Sequence, residues 1–365
     1  MSQTLIGDLE ILSRLPGAPG FEEPVRDYIA GVLSGLGVEH AADRIGNLIC
    51  RVGGTESGGA ERALHFDAHT DEPAFMVRRI DPRGLIYVVP IGYFVFETVV
   101  GQRVRIVTDF KGEKEVPGSF CVASFHGGAG GTKSVEDLWI DVGAASGDEV
   151  RAMGVKPGNS VVFDAPFALL GGGKRAMGKA FDDRAACAVL LEALRSLVSS
   201  PPPVDVLFSF STQEEFLLRG AQTVFNSMKS VYGVVPKVSV SLDIGTCGTV
   251  VPGASPIETG KGPGIKLRDK SGVSAFSHVT NPRLVALMED IACREGIPFQ
   301  YDFLSGCTNA DVFAYQECGV YAGGLGFATR NTHSPVEIVD IGDLLNTAAF
   351  VVALARNAAA FDVLP

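Results

Sequence analysis

No stretch of about 18 apolar residues occurs in the sequence, so no segment reads as a membrane-spanning helix. No run of Lys or Arg exceeds two residues and the formal net charge is −11, which removes the basic footprint of a nucleic-acid binder. The seven cysteines (50, 121, 187, 247, 293, 307 and 318) are odd in number and make no CxxC pair. A disulfide scaffold and a cysteine-based zinc knuckle are therefore not expected, and reduced thiols in a cytoplasm are. The opening MSQTLIGDLEILSRLPG has no basic lead and carries Asp8 and Glu10 inside its apolar stretch, which is not a signal-peptide pattern.

What is present suffices for a large core. At 365 residues and 46% hydrophobic content, two domains are expected. Leu5, Leu9, Leu12 and Leu15 make a helical stripe that ends before Pro16-Gly17, and a second helix presents Phe21, Val25, Ile29 and Leu33. Residues 63–68 then read as a strand closing on His69. From Met76 to about Phe163 the pattern changes to short β runs (MVRRI, LIYVV, RVRIV, VVF) split by Gly and Pro. From Lys179 onward, helix and strand signals alternate. Asp183 is placed to cap a helix through Ala185, Val189, Leu190, Ala193 and Leu197, with Arg184 as its partner. VDVLFSFST is an apolar run of the kind buried on both faces of an α/β sheet, and KVSVSLDIG and YAGGLG resemble it. The expected organisation is one α/β domain, residues 1–72 and 165–365, with an all-β domain, residues 73–164, inserted into it.

Polar clusters fall where the strands end: His69-Thr70-Asp71-Glu72, Phe181-Asp182-Asp183-Arg184, Gln213-Glu214-Glu215 and Leu242-Asp243-Ile244-Gly245, with Thr332-His333-Ser334 in a later loop. The carboxyl ends of strands in an open α/β sheet are where ligands bind, so these clusters can converge on one crevice. Histidines and carboxylates without cysteine suit zinc, cobalt or manganese, and two close cations need a carboxylate between them. Adjacent glutamates in a turn can point apart, so Glu215 can ligate while Glu214 stays free as a general base. Taken singly each signal is weak. A Glu-Glu pair is usually solvated surface, and HxD occurs at both His65/Asp67 and His69/Asp71.

The series HTDE, GKAFDDR, TQEE, SLDIG and TRNTHS resembles the TET-type glutamyl aminopeptidases, also called cellulase-M-like metallopeptidases. PGAPGFEEPVRDYI, DRIGNLI, GQRVRI, WIDVGAAS and MGVKPGNSVVFD extend the likeness over nearly the whole chain. The resemblance implies a mixed-sheet zinc-peptidase (phosphorylase/hydrolase-like) sandwich carrying a barrel-like β dimerisation domain. It implies two divalent metal ions per subunit, zinc first, with cobalt and manganese as alternatives. His69 and Asp243 would complete one site, Glu215 and His333 the other, and Asp182 would bridge them. Glu214 would be the general base, and Asp71 would orient His69 through its ring N–H. His65 is then left with a structural role. The implied activity is removal of N-terminal residues from peptides by a water that two metals activate, in a homo-oligomer built from dimers and reaching a dodecamer.

Departures from the family pattern lie at Ala74, Leu217, Cys307, Asn309 and Asn331, beside the site and not in it. Two other readings share these residues: another co-catalytic zinc hydrolase (a carboxypeptidase or N-deacylase), which needs a cationic clamp such as Arg184, Arg219 or Arg330, and an inactive assembly or binding homologue.

Overall fold

The computed structural model describes residues 3–56, 62–122, 134–248, 257–270 and 276–364. Its centre is four parallel strands, Val206–Ser211, Leu64–His69, Val238–Thr246 and Tyr321–Arg330, in that order. Every residue of the first two is buried, as the apolar runs predict for strands covered on both faces. Leu48–Val52 and Glu337–Asp340 flank this centre antiparallel, so the 12-stranded sheet is mixed.

Helices cover both faces. Leu5, Leu9 and Leu12 of Gln3–Arg14, Leu190 and Leu194 of Phe181–Ser199, and Phe350 and Leu354 of Ile341–Arg356 pack with Phe66 and Phe208 into the larger core. Phe225 and Met228 of Ala221–Tyr232 close the opposite face with Leu207 and Phe313. Asn281 caps Pro282–Glu295 through its side chain, and Gly296 ends that helix in the left-handed conformation.

Between Ala74 and Phe163 the chain makes a closed six-stranded barrel: Ala74–Ile80, Ile86–Ile91, Trp139–Asp141, Glu115–Cys121, Arg103–Val107 and Ser160–Phe163. Its own core holds Phe75, Phe120, Phe163, Val104 and Ile140. Two of these strands escape sequence reading. Glu115–Cys121 contains Pro117-Gly118, which argues against a strand, yet Pro117 sits opposite Arg105 in the ladder. Residues 123–133 of this insert lie outside the described residues. No helix among the described residues is long and apolar enough to cross a membrane.

Candidate metal centre

The parallel strands deliver their polar residues to one end of the sheet. Ser211 pairs with His69 across the ladder, so both strands leave the sheet at one level. His69 is the last residue of its strand, Glu214 and Glu215 follow Ser211, and His333 follows Arg330. Asp182 stands at the start of Phe181–Ser199, where its own φ and ψ (−75°, 101°) are non-helical. The turn that presents the glutamates folds back tightly. Gly220 N–H bonds Thr212 O at 3.0 Å, and a Cβ on Gly220 would meet that oxygen at 2.1 Å.

All seven residues singled out from the sequence meet here. Asp182 Oδ1 lies 3.1 Å from His69 Nε2, and its Oδ2 lies 3.2 Å from His333 Nε2. One carboxylate thus faces two different histidines. Ligand atoms of His69, Asp182 and Asp243 fall within 4.8 Å of one another, as do those of Asp182, Glu215 and His333. A third such group, His69, Glu214 and Glu215, overlaps both. Glu214 Oε2 is 3.8 Å from His69 Nε2. Asp71 Oδ1 lies 3.3 Å from His69 Nδ1, and the two oxygens of Asp71 accept the backbone N–H groups of Glu214 and Glu215, each at 3.0 Å. Glu215 Oε1 is buried and makes no hydrogen bond, an arrangement that is costly unless a cation completes it. Two imidazoles and three carboxylates with such a gap fit divalent cations of the zinc type.

Burial dominates the electrostatics. It pushes Glu214 well above the ordinary carboxylate range, with Asp243, Glu215 and Asp71 adding to the rise. It lifts Glu215 to about 8 and Asp243 to about 7, and the charge of Asp182 raises both. Burial alone would depress the histidines. Glu215 and Asp182 nonetheless hold His333 up at about 10, and Asp182 and Asp71 hold His69 well above its usual value. Asp182 moves the other way: burial opposes its charge, but His333 and His69 outweigh that and keep it far below the usual range.

These shifts give a signed prediction. Raised carboxylates and raised histidines both bind protons more tightly folded than unfolded, so both contributions are lost as pH rises through the folded values. Tm of the metal-free protein is expected to fall between about pH 6 and about pH 9, on the order of 5 °C, and saturating divalent metal should remove most of the fall. A flat metal-free Tm across that window would contradict the buried-charge account.

Several supporting residues have no role assigned to them by the sequence. Glu337 accepts the backbone N–H of Asp182 at 2.9 Å and of His333 at 3.0 Å, doing for one side of the site what Asp71 does for the other. Glu72 bonds Lys179 Nζ at 2.6 and 2.7 Å, both side chains buried, and so ties the first cluster to the second. The expected cap is corrected: Asp183 does not cap its helix but accepts the N–H of His69 at 3.1 Å. Arg184 is not its partner either. It is fully buried and donates to the carbonyls of Leu12, Leu15 and Gly17.

His65 stands apart from the cluster, with its ring nitrogens on Ser239 and Ser209 at 2.8 and 2.7 Å. Burial drops it to about 3, so it is a neutral strand residue. Asp67 accepts from Asn309 at 2.8 Å, a contact that an aspartate at 309 could make only by sharing a proton.

The site opens into a cavity of about 370 Å³ walled by Tyr93 and Val95 of the insert and by Ile244, Leu304 and Leu217. Leu217 has φ +69°, a conformation that glycine adopts more readily than leucine, and Asn331 has φ +59°, which asparagine tolerates. Among the described residues that line the cavity none is Arg or Lys.

Comparison with known proteins identifies the family. The M42 glutamyl aminopeptidase family matches residues 46–350. The lysyl aminopeptidase of Pyrococcus furiosus is 29% identical over 369 residues, 98% of this chain and 99% of that one. Among solved structures, aminopeptidase APDkam598 from the archaeon Desulfurococcus kamchatkensis superposes with a TM-score of 0.86 at 32% identity, covering 96% of this chain and 94% of its own. The TET1 peptidase of Pyrococcus horikoshii, described as able to assemble into a tetrahedron or a large octahedral shell, gives 0.83 at 30% identity, over 96% and 99%. The chain is a metal-dependent aminopeptidase and belongs to the M42 glutamyl aminopeptidase family.

Proposed function

We propose that the chain removes N-terminal residues from peptides using two divalent ions held on either side of Asp182. The observation that carries this reading is that the two oxygens of Asp182 face two different histidines at 3.1 and 3.2 Å. His69 and Asp243 complete one site, Glu215 and His333 the other. The donor set favours zinc, with cobalt and manganese as alternatives. Bound there, the ions supply Lewis acidity toward a peptide carbonyl and acidify water in the cleft. Glu214 accepts the proton of the attacking water and passes it to the leaving amine, so the products are one amino acid and a shortened peptide. Asp71 acts as a positioning residue, fixing His69 and the backbone of both glutamates. The excess of carboxylates around the cleft draws the free α-amine of the substrate.

A carboxypeptidase is disfavoured because Arg184 is buried against backbone carbonyls and Arg330 donates to Thr259. A paired assay separates these readings. A leucyl anilide with a free amine should be cleaved on the order of 10²-fold or more faster than its N-acetylated form, because a site built around a polar group rejects the analogue lacking it. Equal rates, or preference for the blocked form, would point to an N-deacylase or another hydrolase.

Residues 73–164 serve in this reading as a dimerisation domain, and the homo-oligomer reaches a dodecamer. Phe110, in the barrel turn after Arg103–Val107, is 77% exposed, and Met153 is 43% exposed, apolar surface that a partner subunit can cover. Multi-angle light scattering at micromolar concentration should give an oligomer, and a stable monomer would exclude this assembly. We place the protein in the cytoplasm, as seven free cysteines suggest.

A further inference from the structure

Away from the cleft, a second group of ligand-type side chains is buried behind its wall. Asp269 and His278 face each other across the antiparallel pair Gly264–Lys270 and Ser277–Val279, and Asp311 reaches them from the short helix Ala310–Phe313. Their ligand atoms lie within 4.8 Å of one another. Both aspartates are fully buried, and His278 is 9% exposed.

The hydrogen bonds leave one side of this group open. Asp269 Oδ2 accepts from Thr308 Oγ1 at 2.6 Å, but among the described residues Asp269 Oδ1 has no hydrogen-bond partner, and neither do the two carboxylate oxygens of Asp311. His278 Nε2 meets Ala322 O at 2.8 Å. A carbonyl can only accept, so Nε2 carries the proton and the lone pair of the neutral ring sits on Nδ1. That nitrogen is also unpartnered. Three clustered side chains thus carry four unsatisfied acceptor atoms in a buried space where each is costly. The second ring nitrogen bonded to a backbone carbonyl is the usual support of a metal-binding histidine. The ammonium of Lys266, whose charge is felt by both aspartates, is committed to Ile244 O at 2.8 Å and to Asp302. Burial and the charge of Asp269 raise Asp311 to about 8.

We propose that Asp269, His278 and Asp311 form a separate structural site for a divalent cation of the zinc or manganese class. One imidazole with two carboxylates is a borderline-to-hard set, and a dication would replace the missing partners of all four atoms. A surface cavity of about 450 Å³ is lined in part by His278. The site has a mechanical consequence for the cleft. Thr308 is bonded to Asp269, Asn309 to Asp67, and Leu304, Gly306 and Cys307 wall the catalytic cavity. An ion holding Asp269 and Asp311 together therefore pins the segment that closes that wall.

The test uses the full-length protein, stripped of metal, reloaded with micromolar Zn²⁺ and passed through gel filtration. Zinc per subunit is then measured by plasma mass spectrometry, and Tm with and without zinc is recorded. Asp311→Asn and His278→Gln are each expected to bind one zinc fewer than wild type, to lose part of the zinc-induced rise in Tm, and to keep the ions at Asp182. Asp182→Ala should lose its ions and retain this one, so failure of the catalytic reading and failure of this one look different. If one variant does not fold, the other decides. Zinc content equal to wild type in a folded Asp311→Asn or His278→Gln protein would overturn the site. So would an anomalous difference map of zinc-grown wild-type crystals with no peak beside His278 Nδ1.

Discussion

Replacing Glu214 by glutamine is expected to lower kcat by about 10²–10⁴-fold while leaving the metal content nearly unchanged. Glutamine keeps the size and hydrogen bonding of the side chain but cannot take a proton from water. Glu214 lies in the cleft with Oε2 3.8 Å from His69 Nε2, and its backbone N–H is fixed on Asp71 at 3.0 Å. The backbone that carries this carboxylate is therefore fixed beside the proposed ions. Its neighbour differs by role: Glu215→Gln should weaken metal binding and activity together, because Glu215 groups with Asp182 and His333.

Metal content is the decisive half of this experiment, because Glu214 also groups with His69 and Glu215 at ligand-compatible distances. If Glu214→Gln lost an ion in step with its activity, Glu214 would be a ligand. If it stayed fully active, the general-base role would fall. Solvated surface glutamates would show neither effect, but Glu214 and Glu215 are only 8% and 7% exposed.

The site was legible in the sequence to the extent that it sits at the ends of buried strands. Leu64–His69 and Val206–Ser211 are short, apolar and followed at once by charge, and that pattern survives without any knowledge of pairing. Composition could not choose between His65 and His69. The choice depends on position along the strand: His65 is inside the sheet between two serines, whereas His69 is at the edge where the strand stops. Family resemblance made that choice, and the hydrogen bonds give its physical reason.

What stayed hidden rests on long-range pairing. Glu337 reaches Asp182 across 155 positions, and Glu72 reaches Lys179 across 107. No local period encodes either contact. Asp183 looked like a helix cap because caps are the common use of aspartate before a helix, but the extended ψ of Asp182 sends the Asp183 side chain to His69 instead. The strand Glu115–Cys121 was masked by Pro117-Gly118, which a ladder tolerates where that position need not donate a backbone N–H. Asp269, His278 and Asp311 carry no spacing motif at all, since a strand pair and a separate helix bring them together.

The most direct test of the shared carboxylate is the metal count of Asp182→Ala. Removing that side chain leaves His69 with Asp243 on one side and Glu215 with His333 on the other, two ligands each where three are needed. It also removes the carboxylate whose two oxygens face both histidines, and with it negative charge that would offset the repulsion of two close cations. The folded variant, stripped and reloaded with Zn²⁺ beside wild type, should hold two ions fewer per subunit and show no aminopeptidase activity. Circular dichroism must match wild type, because the backbone N–H of Asp182 is bonded to Glu337 at 2.9 Å and should stay so. A folded Asp182→Ala protein with an undiminished zinc count and full activity would contradict the two-metal assignment.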